Sequence, residues 1–341
     1  MDISFFEHKS LDINTYESLF GQCAKSNLLQ SAGYGQAKCQ TEGFEVIRKG
    51  VLESDKPIAI YQVLVKDFPL TGAVVRINRG PLVLGDVSLY SEEKMLYLYQ
   101  SLYNEWVVKN GFFLQIAPNM YDDNSSYEIL HKIGFISDTG DKWQSGWIDL
   151  NKPEEELRKG LQQKWRNMLN KAEQMEMELQ VVKEYSELDA LLKEYELFMK
   201  ARNFRGVSSD LIRSMYSHSP DMIYAVNALK NKQLLGTVII AQHGDTCTYL
   251  VGFTSNDGRK NNANYFLLWN SLLQSKHLGF CWFDVGGVDQ IKTPGIAHFK
   301  QGLGIMNYRM VGEFEGRTGV VGHIISSVKK YYSYIQKSGV S

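Results

Sequence analysis

The chain carries the same order of predicted elements in each of its two halves. In the first half, three strand-like runs between Glu45 and Asn78 are separated by Ser, Asp, Pro and Gly, which predicts an antiparallel meander. A helix from about Ser91 to Lys109 follows, and Gly111 introduces a further strand. The second half repeats this order with strands at 223–229, 235–242 and 247–253, a helix at 261–277 and a strand after Gly279. A repeat over about half of 341 residues predicts two copies of one mixed α/β domain, because solenoid repeats have periods of about 20–50 residues.

We expect the boundary between the two copies near residue 148. Residues 1–148 then form the first domain, and residues 149–310 form the second. The C-terminal residues 311–341, with a predicted helix at 323–336, are expected to return and complete the first domain. A helix is predicted to start near Lys152, because Asp149 or Asn151 can cap it and Pro153 suits an early helical position.

Composition and charge exclude several classes of protein. The 37 Lys and Arg residues are balanced by 38 Asp and Glu residues, so no net basicity marks a dedicated nucleic-acid binder. The longest apolar runs fall short of the roughly 20 residues that a bilayer span requires. The N-terminal residues lack the features of a signal peptide, so we expect a cytoplasmic protein. The four cysteines are far apart and the seven histidines lack metal-ligand spacing, which predicts free thiols and no metal site.

The segment that follows the fourth strand of the second half is a candidate anion site. A meander, a helix and a further strand form the core of the acyl-CoA N-acyltransferase (GNAT) fold, in which the N-terminus of that helix binds a pyrophosphate. The matching residues here are Gly258, Arg259 and Lys260, where backbone N–H groups and two cations are available to an anion. An ordinary loop with a helix cap is the competing interpretation, since the usual glycine pattern of that fold is only crudely present.

Several motifs in a fixed order carry a resemblance to one family. They are Gln30-Ser31, Tyr34-Gly35 with Lys38, Arg202-Asn203-Phe204, the strand end Phe283 to Asp289 with Gly286 and Gly287, and Phe299-Lys300-Gln301-Gly302-Leu303-Gly304. Together they resemble the FemABX family, whose members are peptidoglycan bridge-forming aminoacyltransferases built from two acyltransferase-like domains. The resemblance covers the chain from Gln30 to Glu313. It implies an α/β (α+β) fold of two tandem GNAT-like domains, with mixed, mostly antiparallel sheets flanked by helices.

The resemblance also implies a reaction and its participants. An amino acid would be transferred from aminoacyl-tRNA to an amine of a peptidoglycan precursor, nucleotide-linked or lipid-linked, and the product would be an amide. No metal and no permanently bound cofactor is implied. A cytoplasmic enzyme that meets a lipid-linked acceptor would work peripherally, at the inner face of the membrane. The oligomeric state and the identity of the amino acid are not indicated by the sequence.

Individual roles follow from the family's motifs. Lys300 is the catalytic candidate, because a fixed ammonium stabilises the negative charge that develops when an ester is cleaved. Phe299 is expected in the wall of the site, and Leu303 departs from the family's usual Phe. Glu313 matches an acidic position of the family, for which catalysis and a structural ion pair are both open. The expected substrate-binding residues are Lys38, Tyr34, Arg202, Asp284, Gly286 and Gly287.

Two further features are open at this stage. The segment from Leu157 to Gln174 is predicted as one basic helix whose Trp165 and neighbouring cations are available to a tRNA backbone, with a solvated helical face as the competing interpretation. His298 lies two residues before Lys300, and the two would share a side if the segment were a strand.

Two alternative functions compete with the aminoacyltransferase. One is an acyl-CoA-dependent N-acyltransferase that acts on an amino sugar of a surface polysaccharide. The other is a non-catalytic module that binds the precursor or tRNA. Replacing Lys300 with Ala separates enzyme from binding module, because only an enzyme has turnover to lose.

Overall fold

The computed structural model describes residues 6–317, apart from residues 69–71, 86–87, 89, 139 and 205. Within that range the chain divides into two compact units. The first unit contains residues 6–24, 42–142 and 310–317, and the second contains residues 25–41 and 143–309.

Fifteen strands are defined among the described residues. In chain order they are β1 (Glu7–Ser10), β2 (Glu45–Glu53), β3 (Lys56–Phe68), β4 (Gly72–Asn78), β5 (Leu82–Val83), β6 (Phe113–Ala117), β7 (Ile136–Ser137), β8 (Gln144–Asp149), β9 (Glu178–Val182), β10 (Ile223–Lys230), β11 (Gln233–His243), β12 (Thr246–Thr254), β13 (Trp282–Asp284), β14 (Met306–Arg309) and β15 (Phe314–Gly316).

Several of the described α-helices end at a glycine or an asparagine. They are α1 (Ile13–Phe20), α2 (Ala32–Glu42), α3 (Glu92–Tyr103), α4 (Asn124–Ile133), α5 (Glu154–Gly160), α6 (Gln163–Glu173), α7 (Tyr185–Arg202), α8 (Ser209–His218), α9 (Asn256–Lys260), α10 (Ala263–His277) and α11 (Pro294–Gln301). A π-helical stretch, Asn104–Lys109, continues α3, and 3₁₀ turns occupy Leu28–Gln30 and Pro220–Met222.

The first unit is built on a sheet with the order β1-β2-β3-β4-β6-β15-β7, and β5 pairs with β3. The meander β2-β3-β4 is antiparallel, as its sequence predicts, and β6 is parallel to β4 after the α3 crossover. The helices α3 and α4 place Leu98, Leu102 and Leu130 in the core of this sheet, which is the apolar helical face that the sequence indicates.

The second unit repeats this arrangement in a sheet with the order β14-β8-β13-β12-β11-β10-β9. The meander β10-β11-β12 is antiparallel, and β13 is parallel to β12 after the α10 crossover. The two predicted copies are therefore confirmed as repeated units with one strand order. Helix α10 packs Leu267, Leu268 and Leu272 into the core of this sheet.

The units are less contiguous than the expected boundaries of 1–148 and 149–310. Strand β8, which begins before residue 148, pairs with β13 and β14 and so belongs to the second unit. Residues 25–41 also belong to the second unit. Strand β15 pairs with β6 and β7, so residues 314–316 join the first sheet. The predicted helix at 323–336 lies outside the described residues.

The predicted single helix from Leu157 to Gln174 is instead two helices. Leu161 and Gln162 have extended backbone between α5 and α6. Gly160 weakens the helix at that point, and the N–H of Gln162 donates to the carbonyl of Gly302 at 2.9 Å rather than to a helical partner. Tertiary contacts therefore interrupt a segment whose local composition favours one helix.

Candidate active site

Lys300 is a buried cation at the end of helix α11. The helix begins at Pro294, whose fixed φ suits a first turn. The Lys300 side chain is 5% exposed, its Nζ donates to the carbonyl of Gly287 at 3.0 Å, and it lies 4.6 Å from the centre of the Tyr249 ring. A hydrogen bond and a cation–π contact thus hold the ammonium in one place.

The helix changes the relation between Lys300 and His298. Residues two apart share a side of a strand but point in different directions on a helix. His298 is accordingly exposed while Lys300 is buried. A shared side for the two residues was conditional on a strand, and residues 294–301 are helical.

The turn that receives Lys300 needs glycine. Gly286 has a φ of +70°, and a Cβ there would approach the carbonyl oxygen of Tyr249 to 2.6 Å. A Cβ on Gly287 would lie 3.1 Å from the Trp143 ring. The paired glycines therefore let the chain pass close to β12 and present the Gly287 carbonyl to Lys300.

Asp284, at the end of β13, is the centre of a buried hydrogen-bond network. Its Oδ1 accepts from the N–H of Gly286 at 2.8 Å, and its Oδ2 accepts from the Tyr308 hydroxyl at 2.7 Å. The hydroxyl of Ser145, on β8, lies in short contact with Asp284 Oδ1 and is also 2.7 Å from the carbonyl oxygen of Gly286. Asp284 and Ser145 thus contact both polar groups of the Gly286 backbone.

Burial changes the acid strengths at this site. It lowers the pKa of Lys300 from 10.5 to about 8, and the neighbouring Asp284 acts in the opposite direction. Burial raises the pKa of Asp284, whereas hydrogen bonds from Ser145, Tyr308 and Gly286 and the charge of Lys300 lower it. Groups whose pKa values burial moves toward neutrality are typical of functional sites, although structural networks show them too.

The site lies where two parallel strands separate. Strands β12 and β13 pair only from Thr246 to Thr248 with Trp282 to Asp284, although β12 continues to Thr254. Its other edge shifts register against β11 between Ile239 and Ile240. Tyr249, which lies under the Lys300 ammonium, is the next residue after the paired segment. The separation leaves backbone groups of β12 available to a ligand on that side.

Phe299 belongs to an aromatic cluster behind Lys300. Its ring centre lies 5.1 Å from that of Tyr265 and 5.9 Å from that of Trp165. Trp165 Nε1 donates to the Phe299 carbonyl at 3.0 Å, and Trp165 is 3% exposed. Trp165 therefore anchors α11 in the core, where it is not available to stack on a nucleic acid. Arg166 is also engaged, because its Nη2 donates to the carbonyls of Lys159 and Leu161.

The structure places the other expected substrate-binding residues in the second unit but on different elements. Tyr34 is buried and Lys38 is half-buried, both on α2. Arg202 is exposed at the end of α7, with its guanidinium 5.8 Å from the Phe198 ring centre. The segment of α2 is fixed by Asp245, whose carboxylate oxygens accept from the backbone N–H groups of Lys25 and Ser26 at 2.9 and 3.0 Å.

The candidate anion site at Gly258, Arg259 and Lys260 is a short capped helix, α9. The N–H of Gly258 already donates to Ser255 Oγ at 3.0 Å. A Cβ on Gly258 would come within 2.1 Å of the Leu235 carbonyl oxygen, so the glycine allows close packing. Lys260 pairs with Asp257 at 2.9 Å. The helix cap and the packing thus account for the glycine without an anion.

Glu313 lies in the first unit, next to β15. Its Oε1 accepts from Arg76 Nη2 at 2.8 Å, and its side chain is 40% exposed. The structural ion pair that the sequence left open is therefore present, while a catalytic role for Glu313 stays a prediction.

Two polar residues of the site were not foreseen from sequence, namely Ser145 and Tyr308. Ser145 lies on β8, which pairs with β13, and Tyr308 lies on β14, which pairs with the other edge of β8. Neither residue lies in a sequence motif that would identify it as a buried polar residue.

The described residues contain neither a metal-binding cluster nor a membrane-spanning helix. No group of three or more His, Cys, Asp or Glu side chains there is placed to hold a metal ion. No helix in the same part of the chain is long and apolar enough to cross a membrane.

Known proteins share this fold at low sequence identity. Residues 157–301 match the family described as an acetyltransferase (GNAT) domain. The structure of FemX superposes with a TM-score of 0.77 at 15% identity, over 92% of this chain and 97% of FemX. No curated protein matches the sequence significantly.

Two further structures support the same fold. A conserved protein of unknown function from Bacteroides thetaiotaomicron has a TM-score of 0.60 at 10% identity. The match covers 92% of this chain and 100% of that chain. A tandem GNAT protein from the clavulanic acid biosynthesis pathway has a TM-score of 0.51 at 10% identity, over 92% and 99% of the two chains. The expected tandem fold is confirmed, and the resemblance to the FemABX family is confirmed at the level of fold. The chain thus has the tandem GNAT fold that FemX also has, and its residues 157–301 are similar to the acetyltransferase (GNAT) domain family.

Proposed function

We propose that the protein is a FemABX-like acyltransferase that moves an amino acid from aminoacyl-tRNA to an amine of a peptidoglycan precursor. The observation that carries the proposal is the buried Lys300 ammonium, held by Gly287 at the point where β12 and β13 separate. The fold of FemX and the GNAT domain match support an acyl transfer at this place.

The proposed reaction develops negative charge, and the buried Lys300 ammonium can stabilise it. Attack of an amine on an aminoacyl ester forms the C–N bond and puts negative charge on the carbonyl oxygen. Cleavage of the C–O bond then puts charge on the leaving ribose oxygen. A cation fixed in a buried place stabilises both charges more than it would in water, because the surroundings screen it less. Lys300 is placed to do this without forming a covalent bond.

The attacking amine must lose its proton before or during attack. Positioning of the two substrates can supply much of the rate, so no dedicated protein base is required by this chemistry. We assign Lys38 and Arg202 to the phosphates of the acceptor, and a planar guanidinium is suited to bind such oxygens through two donors. Both assignments come from the sequence resemblance.

An acyl-CoA-dependent N-acyltransferase acting on an amino sugar is the second candidate. The GNAT domain match over residues 157–301 favours it, since that domain family includes acetyltransferases. The occupied N–H of Gly258 and the ion pair of Lys260 argue against a pyrophosphate at α9.

The donor separates the two candidates experimentally. Purified protein and a pool of cell-envelope precursors are incubated with labelled aminoacyl-tRNA or labelled acyl-CoA, and the acceptor is analysed by mass spectrometry. A Lys300→Ala variant controls for transfer that does not depend on the site. Binding without transfer from either donor would instead support a non-catalytic module.

A further inference from the structure

The network around Asp284 contains one hydroxyl between two acceptors. Ser145 Oγ contacts Asp284 Oδ1 and the carbonyl oxygen of Gly286. A serine hydroxyl has a single proton to donate. If Asp284 were ionised, Ser145 would donate to one of these oxygens and turn its lone pairs toward the other.

A proton on Asp284 Oδ1 removes this conflict. Asp284 then donates to Ser145, and Ser145 donates to the carbonyl of Gly286. The other contacts are unchanged, because Tyr308 still donates to Oδ2 and the Gly286 N–H still points to Oδ1. Each contact of Asp284 with Ser145, Tyr308 and the Gly286 N–H then has one donor and one acceptor.

Burial favours the same state. Asp284 is 6% exposed, and burying a neutral acid costs less free energy than burying a carboxylate. The groups that act on it come from every neighbouring element: Ser145 on β8, Tyr308 on β14, Lys300 on α11 and the Gly286 N–H of the turn. Lys300 is the cation among them, and its Nζ donates to a backbone carbonyl rather than to Asp284.

We infer that Asp284 is protonated at neutral pH. This proton completes the hydrogen bonds that hold the Gly286–Gly287 turn, and the turn positions Lys300. Asp284, Ser145 and Tyr308 are then positioning residues. The ammonium of Lys300 faces a neutral acid, so its charge is not cancelled within the site and acts on a bound ester. The inference concerns the site of the proposed function but does not need an acyl donor to be tested.

The test is the direction in which the pKa of Asp284 moves. Aspartate labelled with ¹³C at the carboxyl carbon is introduced into the whole protein, and the Asp284 signal is assigned from its loss in Asp284→Asn. The wild-type signal is expected to titrate well above the usual range of aspartate, and ionisation at neutral pH would overturn the inference.

Two variants sharpen the result. Ser145→Ala and Tyr308→Phe each remove a hydrogen-bond donor that lowers the pKa of Asp284, so both changes are expected to raise it. A titration that responds to neither change would overturn the inference.

Two safeguards keep the outcome clear. Should Ser145→Ala fail to fold, by circular dichroism, the wild-type titration alone decides. A protein that proves inactive with both donors would defeat the proposed function and leave the titration result standing.

Discussion

The ammonium of Lys300 is fixed by a backbone carbonyl and an aromatic face, so its charge remains available to a substrate. We predict that Lys300→Met lowers kcat by about 10²–10³-fold, the usual effect of removing one group that stabilises an oxyanion. His298→Ala is the matched control, because His298 lies on the same helix but is exposed. Transfer rates and thermal unfolding would be measured for both. Equal losses in the two variants would contradict a specific role for Lys300.

The lowered pKa of Lys300 predicts a pH dependence. The pKa of about 8 includes the raising effect of an ionised Asp284, so a neutral Asp284 lowers it further, and transfer that needs the ammonium should decline as pH rises to about 8. The folded-state pKa is lower than the unfolded value of 10.5, so the unfolded chain binds more protons between these values. The contribution of Lys300 to the free energy of unfolding therefore rises with pH across this window. A pH profile of kcat without an alkaline limb at or below about pH 8 would be inconsistent with this account.

Site residues that lie close together in the sequence were predicted, and those far from them in the sequence were missed. Asp284, Gly286, Gly287 and Lys300 lie in one segment, and the structure brings them together. Ser145 is 139 residues from Asp284, and only the pairing of β8 with β13 joins them. No local pattern in the sequence records that pairing, which is why Ser145 and Tyr308 were missed.

At the scale of elements, substituting a glycine tests whether it is needed for packing or for ligand binding. We predict that Gly258→Ala lowers the free energy of unfolding by about 1–3 kcal/mol, since its Cβ would overlap the Leu235 carbonyl. Gly160→Ala is the control, because a Cβ there meets nothing within 4 Å. It should be neutral or slightly stabilising. Chemical denaturation would measure both, and an unchanged stability in Gly258→Ala would refute the packing role.

Asp245 connects the segment before α2 to the second sheet. Asparagine has one carbonyl oxygen and a donor in place of the second oxygen, so it cannot accept from both Lys25 and Ser26. We predict that Asp245→Asn lowers the free energy of unfolding by about 1–3 kcal/mol. Asp257→Asn, which alters an exposed ion pair, should change it by less than about 1 kcal/mol. Equal effects of the two changes, in urea unfolding curves, would argue against this connection.

The element predictions succeeded where local pattern decides and failed where tertiary contacts do. The two meanders and the crossover helices α3 and α10 follow from alternation and helical spacing. The break between α5 and α6 depends on the backbone bond from Gln162 to Gly302. No secondary structure was assigned to the segment of α11, Pro294–Gln301, from its sequence.

At the scale of the molecule, each sheet takes one strand from outside its own repeat. Strand β8 inserts between β13 and β14, and β15 inserts between β6 and β7. Both pair in an antiparallel sense with the strand that follows the crossover helix. The repeat was visible in the sequence, but a boundary at residue 148 was not accurate because long-range pairing assigns β8 to the second unit.

The central claim is that this tandem GNAT fold transfers an aminoacyl group, and the identity of the donor tests it most directly. Label from aminoacyl-tRNA and label from acyl-CoA would be followed into the same precursor pool by mass spectrometry. The account predicts that label arrives from the tRNA, as an amide, and that Lys300→Met slows its arrival by about 10²–10³-fold. Label that arrives from acyl-CoA alone would contradict the account and leave only the fold standing.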